Sequence, residues 1–123
     1  MNDCLFCNLP KDRIIRGWDR QFQTCFLIED NYPVSPGHAL IIPDRHIESW
    51  FDLEKNDLEF MHMLANEYKS RIKCDGWNIG INIGADAGQT IFHMHMHLIP
   101  RYKGDMENPR GGVRHVIPGK GYY

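Results

Sequence analysis

Three histidines stand at alternate positions in His93-Met94-His95-Met96-His97-Leu98-Ile99. Side chains two apart on an extended chain share a face, so the imidazoles project together while Met94, Met96 and Leu98 project oppositely. The methionines belong in a core, which turns all three rings toward the other side. Two chemistries suit such a row. Three neutral imidazoles bind a catalytic zinc with an open fourth position. Alternatively, one imidazole is a nucleophile and its neighbours fix its tautomer and the local charge. Spacing alone does not choose between them. The preceding Gly88-Gln89-Thr90 offers backbone N–H groups, an amide and a hydroxyl, which suit phosphate oxygens better than a metal. Cys4 and Cys7 have the spacing of half a zinc site, with two further ligands to come from elsewhere. Cys25 and Cys74 are isolated and read as small apolar residues.

The elements that must position these groups are legible in outline. A strand is expected over 24–29, ended by Asp30-Asn31-Tyr32-Pro33. Ser35-Pro36-Gly37 turns into a second strand, His38-Ala39-Leu40-Ile41-Ile42, closed by Pro43. Leu58, Met61, Ala65, Tyr68 and Ile72 form a helical stripe widened by Leu64, with Asp52 or Asn56 as cap and Cys74-Asp75-Gly76 as exit. The period then changes to two: Trp77, Ile79, Ile81 and Ile83 alternate with Asn78, Gly80, Asn82 and Gly84. Gly80 and Gly84 leave that polar face open to a ligand. After a loop at 85–89, residues 91–99 read as another alternating strand. The expected fold is α+β, a mainly antiparallel sheet with one long helix and short helical segments.

At 123 residues the chain suits a single domain over 1–123, and no repeat or linker divides it. A 42% hydrophobic and 24% charged composition argues against disorder and coiled coil. The longest aliphatic run, Ala39-Leu40-Ile41-Ile42, is far short of a membrane span, and Met1-Asn2-Asp3-Cys4 lacks the look of a signal peptide. These features predict a cytoplasmic protein with no membrane partner. A net charge of −2 argues against stable nucleic-acid binding. Charge is uneven, however: residues 1–100 carry a net −5 and 101–123 a net +3. Arg110 and Arg114 in that basic tail are expected to reach substrate phosphates, and His62 and His115 read as solvated.

Taken together, these motifs resemble the histidine triad (HIT) family of nucleotide hydrolases and transferases. The resemblance covers about residues 4–105. It rests on His93-Met94-His95-Met96-His97-Leu98-Ile99, Ala87-Gly88-Gln89-Thr90, Asn82-Ile83-Gly84, Pro36-Gly37-His38-Ala39-Leu40-Ile41-Ile42-Pro43 with His46, and Cys4-Leu5-Phe6-Cys7. It implies a HIT-like fold, a homodimer, and attack by His95 on an α-phosphorus to give a nucleotidyl-histidine that water resolves. His97 and His38 would stabilise the phosphate oxygens. Gln89 and Thr90, with Gly88 and Asn82, would hold the phosphate and leaving group. Asp30 would accept the ribose hydroxyls, and Leu5, Phe6 and Leu9 would line the base pocket. By the same resemblance, Cys4, Cys7, His46 and His93 would hold a structural zinc, and no catalytic metal is expected. Gly88-Gln89-Thr90 with Pro100-Arg101 is similar to the dinucleoside polyphosphate hydrolases, which implies diadenosine polyphosphates or related adenylylated substrates. The alternatives are a purine nucleoside phosphoramidase and a slow nucleotide-binding sensor.

Overall fold

The computed structural model describes residues 3–16 and 24–123. Five strands form one antiparallel sheet: β1 (Ile14–Arg16), β2 (Cys25–Glu29), β3 (Ala39–Pro43), β4 (Gly76–Gly80) and β5 (Met96–Arg101), in the order β1-β2-β3-β5-β4. Among the described residues one α-helix, α1 (Lys55–Lys69), covers one face, and the other helical segments are short 3-10 turns. The short strand β1 was not legible beforehand, because three residues carry too little pattern.

Alternation along the strands builds two cores. Cys25, Leu27, Ala39, Ile41, Met96 and Leu98 face α1 and meet Met61, Leu64 and Tyr68. Phe26, Ile28, Leu40 and Ile42 face the opposite way and meet Phe6 from the N-terminal segment. Strand β3 is therefore buried at all five residues, which is why it reads as a continuous apolar run. Each large aliphatic side chain so covered contributes roughly 1.5–3 kcal/mol.

The helix departs from expectation at both ends. Its cap is Glu54, not Asp52 or Asn56. Glu54 and Asp57 form a reciprocal capping box, and buried Asp57 also accepts from Arg45 at 2.9 Å. The helix ends at Lys69, so Ile72 and the 74–76 segment lie beyond it. Leu58 is exposed, whereas Tyr68 is buried and donates its hydroxyl to Gly37 O at 2.7 Å. Gly37 has φ +90°, and a Cβ there would sit 3.2 Å from Pro100. Glycine thus permits both the turn and its close packing.

Both late strands are shorter than their alternation suggests. Strand β4 ends where Gly80 pairs with His97, and β5 begins only at Met96. Residues 91–95 turn toward the segment after β3: Met94 N–H donates to Ile47 O, and the His93 ring bonds Pro43 O. Residues 81–84 thus have no strand to pair with, and Ile79 on the edge strand is exposed. The two faces of the histidine row nevertheless divide as expected. Met94, Met96 and Leu98 enter the helix-side core, leaving the imidazoles on the side of Phe6.

Candidate active site

The backbone fixes the tautomer of His95. Its Nδ1–H donates to His93 O at 2.8 Å, so Nε2 keeps the lone pair. The ring packs edge-on against Phe6, with centroids 5.1 Å apart, and lines a cavity of about 320 Å³. His97 lines the same cavity from the second residue of β5. Its Nδ1 accepts from His38 Nε2–H at 2.9 Å, while His38 Nδ1 accepts from Val34 N–H at 3.1 Å. His97 is therefore protonated at Nε2 and able to donate. Burial, helped by His95 and His38, pushes His97 down to about 4, so it is neutral at pH 7 when no anion is bound. Burial also lowers His38.

Leu5, Phe6, Leu9, Asp30, Asn82, Gly88 and Thr90 all line this cavity with the two histidines. The expected nucleotide-binding set, Gln89 excepted, is thus brought together from the N-terminal segment, the β2–β3 turn and the 82–90 loop. Asp30 Oδ1 accepts from Tyr32 N–H at 2.8 Å, the turn-forming contact typical of Asp. Its Oδ2 lies 3.5 Å from His38 Nε2. Gly84 and Gly88 have φ of +90° and +96°, which lets the loop fold back over the histidines.

Two expectations meet a different arrangement. Buried Gln89 does not line the cavity, because its amide is taken by backbone. Oε1 accepts from Gly84 N–H at 2.8 Å, and Nε2 donates to Glu48 O and Ile91 O at 3.0 and 3.2 Å. Arg110 and Arg114 do not line it either. Both stack on Tyr123, at 4.6 and 4.9 Å from the ring centroid, and Arg114 also bonds the backbone of 120–121. The tail closes on itself before its charges can reach the site. His115 is part of that closure, donating to Arg110 O and meeting Tyr122 edge-on, so it is not simply solvated. Exposed His62 lies 3.3 Å from Asn66 Nδ2, away from the cavity. Arg101 is committed to Asp105 and Asn78. The cation that does line the cavity is Arg13, which sequence reasoning missed; a lone arginine before a three-residue strand carries no pattern.

His93 points away from the other two imidazoles. Its Nε2–H donates to Pro43 O at 2.7 Å, and its Nδ1 lies 3.5 Å from both Cys4 Sγ and Cys7 Sγ. His46 Nδ1 is 3.2 Å from Cys7 Sγ, and the four ligand atoms lie within 4.8 Å of one another. Zinc–sulfur and zinc–nitrogen bonds of about 2.3 and 2.05 Å put tetrahedral neighbours about 3.5 Å apart. The four residues therefore fit a closed zinc site. With His93 so placed, the three histidines do not converge on one ion, and the trihistidine metal reading falls.

Comparison with known proteins agrees with this geometry. Residues 20–104 match the family model described as HIT domain. The adenylylsulfatase HINT3 of Arabidopsis thaliana is 35% identical over 113 residues, covering 85% of this chain and 55% of its own. A histidine triad nucleotide-binding protein of Sulfolobus tokodaii superimposes with a TM-score of 0.69 at 34% identity, over 82% of this chain and 70% of that one. A zinc-bound histidine triad protein of Mycobacterium smegmatis gives 0.67 at 31% identity, over 87% and 81%.

Proposed function

This chain belongs to the HIT domain family, and from that premise we propose that it is a nucleotide hydrolase acting at the α-phosphate, with His95 as nucleophile. The observation that carries this reading is the hydrogen bond from His95 Nδ1 to His93 O, which leaves Nε2 free beside the cavity. In the first step Nε2 attacks phosphorus, the bond to the leaving group breaks, and a nucleotidyl-histidine forms. In the second, water attacks the same phosphorus, the P–N bond breaks, and His95 regains its lone pair. His97 Nε2–H, held by His38, donates to a phosphoryl oxygen as charge develops there. Leu5, Phe6 and Leu9 cover the base, Asp30 accepts from the ribose, and Thr90 with the backbone at Gly88 receives the phosphate. Gln89 acts by bracing their loop.

The favoured donors are diadenosine polyphosphates and related adenylylated compounds. An adenylylsulfatase among the relatives supports an adenylyl group joined to an anionic leaving group. Cys4, Cys7, His46 and His93 would hold a structural zinc that ties the N-terminal segment to the nucleophile's strand; the metal supplies no step of the reaction. A homodimer, also part of this reading, is supported by exposed Ile79 on edge strand β4, beside a groove shared with Ala65 and Trp77. No helix among the described residues is long and apolar enough to cross a membrane.

Turnover should be measured side by side on diadenosine triphosphate, diadenosine tetraphosphate and adenosine 5′-phosphoramidate. Preferential cleavage of the polyphosphates is expected. Preference for the phosphoramidate would move the protein to the phosphoramidase branch. Binding without turnover of any of the three would make it a sensor.

A further inference from the structure

Asp30, His38 and His97 bring one carboxylate oxygen and two imidazole nitrogens within 4.8 Å of one another. Such a trio has the composition of a metal site, but its hydrogen bonds argue otherwise. Val34 N–H holds His38 Nδ1 as an acceptor, so His38 Nε2 carries the proton that His97 Nδ1 accepts. A cation would need a lone pair at that same Nε2. In the resting pair one proton bridges the two rings, and a second has one counter-ion near it. Asp30 Oδ2 stands 3.5 Å from His38 Nε2 and 3.9 Å from His97 Nδ1. The groups facing the pair are Asp30 from the β2–β3 turn, His95 from the approach to β5, and Glu29 and Arg13 from the cavity wall. Among the described residues Asp30 is the carboxylate within ion-pairing distance of either ring.

We propose that Asp30 is a positioning residue that sets the charge of the His38–His97 pair, coupling recognition of the sugar to proton uptake beside the phosphate. The proposal rests on the nucleotide-hydrolase reading and adds a role to the ribose contact. When the anionic α-phosphate enters, His97 Nδ1 takes one proton from solvent and the hydrogen bond it accepted from His38 Nε2–H breaks. Asp30 Oδ2 accepts a hydrogen bond from the charged pair, and the positive charge faces the phosphoryl oxygens. The proton returns to solvent when the product leaves. Burial opposes this uptake in both rings, and Asp30 is the group that counters it.

The test combines Asp30→Asn with two substrates, adenosine 5′-phosphoramidate and its 2′,3′-dideoxy analogue. Asparagine keeps an oxygen for a hydroxyl and removes the charge. The burst of nucleotidyl-protein is followed against pH, and the His38 and His97 rings are titrated by NMR with adenosine 5′-monophosphate bound. With Asp30→Asn, the alkaline limb of the burst and both ring titrations should move down by about one pH unit, as expected on losing an opposite charge at this range. The burst near neutral pH should slow about tenfold with both substrates, and Asp30→Glu should recover part of the shift. If Asp30 serves the ribose alone, the variant raises KM for the ribonucleotide, leaves the dideoxy analogue untouched and shifts no limb; that result overturns the proposal. Unchanged ring titrations overturn it as well. A wild-type protein that forms no nucleotidyl adduct defeats the hydrolase reading instead, and the NMR titration then still decides the role of Asp30.

Discussion

The hydrogen bond that orients His95 runs to a backbone carbonyl, so substituting the nucleophile leaves no other side chain of the cavity without a hydrogen-bond partner. His95→Asn should therefore lower turnover by several orders of magnitude while nucleotide binding stays measurable by calorimetry. Turnover close to wild type would end the nucleophile assignment. At this scale the sequence was most legible for groups whose role follows from alternation, since His95, His97 and His38 were named from pattern and resemblance and do meet. It was least legible for Gln89. A side-chain amide serves a phosphate or a backbone equally well, and only the fold brings Gly84, Glu48 and Ile91 around it.

At the scale of elements, that amide holds the 84–91 loop closed over the histidines. Gln89→Ala removes three part-buried hydrogen bonds to the backbone of Gly84, Glu48 and Ile91, which costs about 1–3 kcal/mol. A lower melting temperature should accompany a raised KM, both read from the same preparation. An unchanged melting temperature with a lost burst would restore Gln89 to direct contact with substrate. The N-terminal segment is the other element under tension between sequence and fold. It reaches the site through Phe6 packed on His95 and through Cys4 and Cys7 beside His93. Purified protein should carry about one zinc per chain by elemental analysis, and Cys4→Ser should lose it together with thermal stability. Metal-free wild-type protein melting at the same temperature would sink this site.

For the whole molecule, the histidine pair links stability to pH. His97 is held near 4 in the folded state against an ordinary 6.5, so between those values the unfolded chain binds the extra proton. Its contribution is fully present above 6.5 and is lost as pH falls toward 4; His38 shifts in the same direction. Thermal melts should weaken across that window, and His97→Gln should flatten the slope. A wild-type profile flat between pH 6.5 and 4 would contradict the buried neutral pair. The proposed homodimer is assigned to the exposed edge of β4. Wild type should sediment at twice its 14.4 kDa chain mass, whereas Ile79→Lys, which charges that edge, should sediment as a monomer with unchanged circular dichroism. A monomeric wild type would remove the dimer from the reading.

The sequence by itself determined what depends on local periodicity. It marked the two apolar central strands, the helix in the middle of the chain, and the face on which the triad histidines lie. Strand ends, caps and partners were decided by tertiary structure. Alternation over 77–84 and 91–99 predicts two long strands, yet pairing stops at Gly80 and His97 because residues 91–95 bond the segment after β3 instead. The basic tail illustrates the same limit. Net charge is a property of composition, but where Arg110 and Arg114 act is set by Tyr123, which holds both on the tail itself. Arg13 reaches the cavity without any pattern at all. Periodicity records which face a residue takes within its own element; which distant backbone group meets it depends on chain crossings that no local window contains.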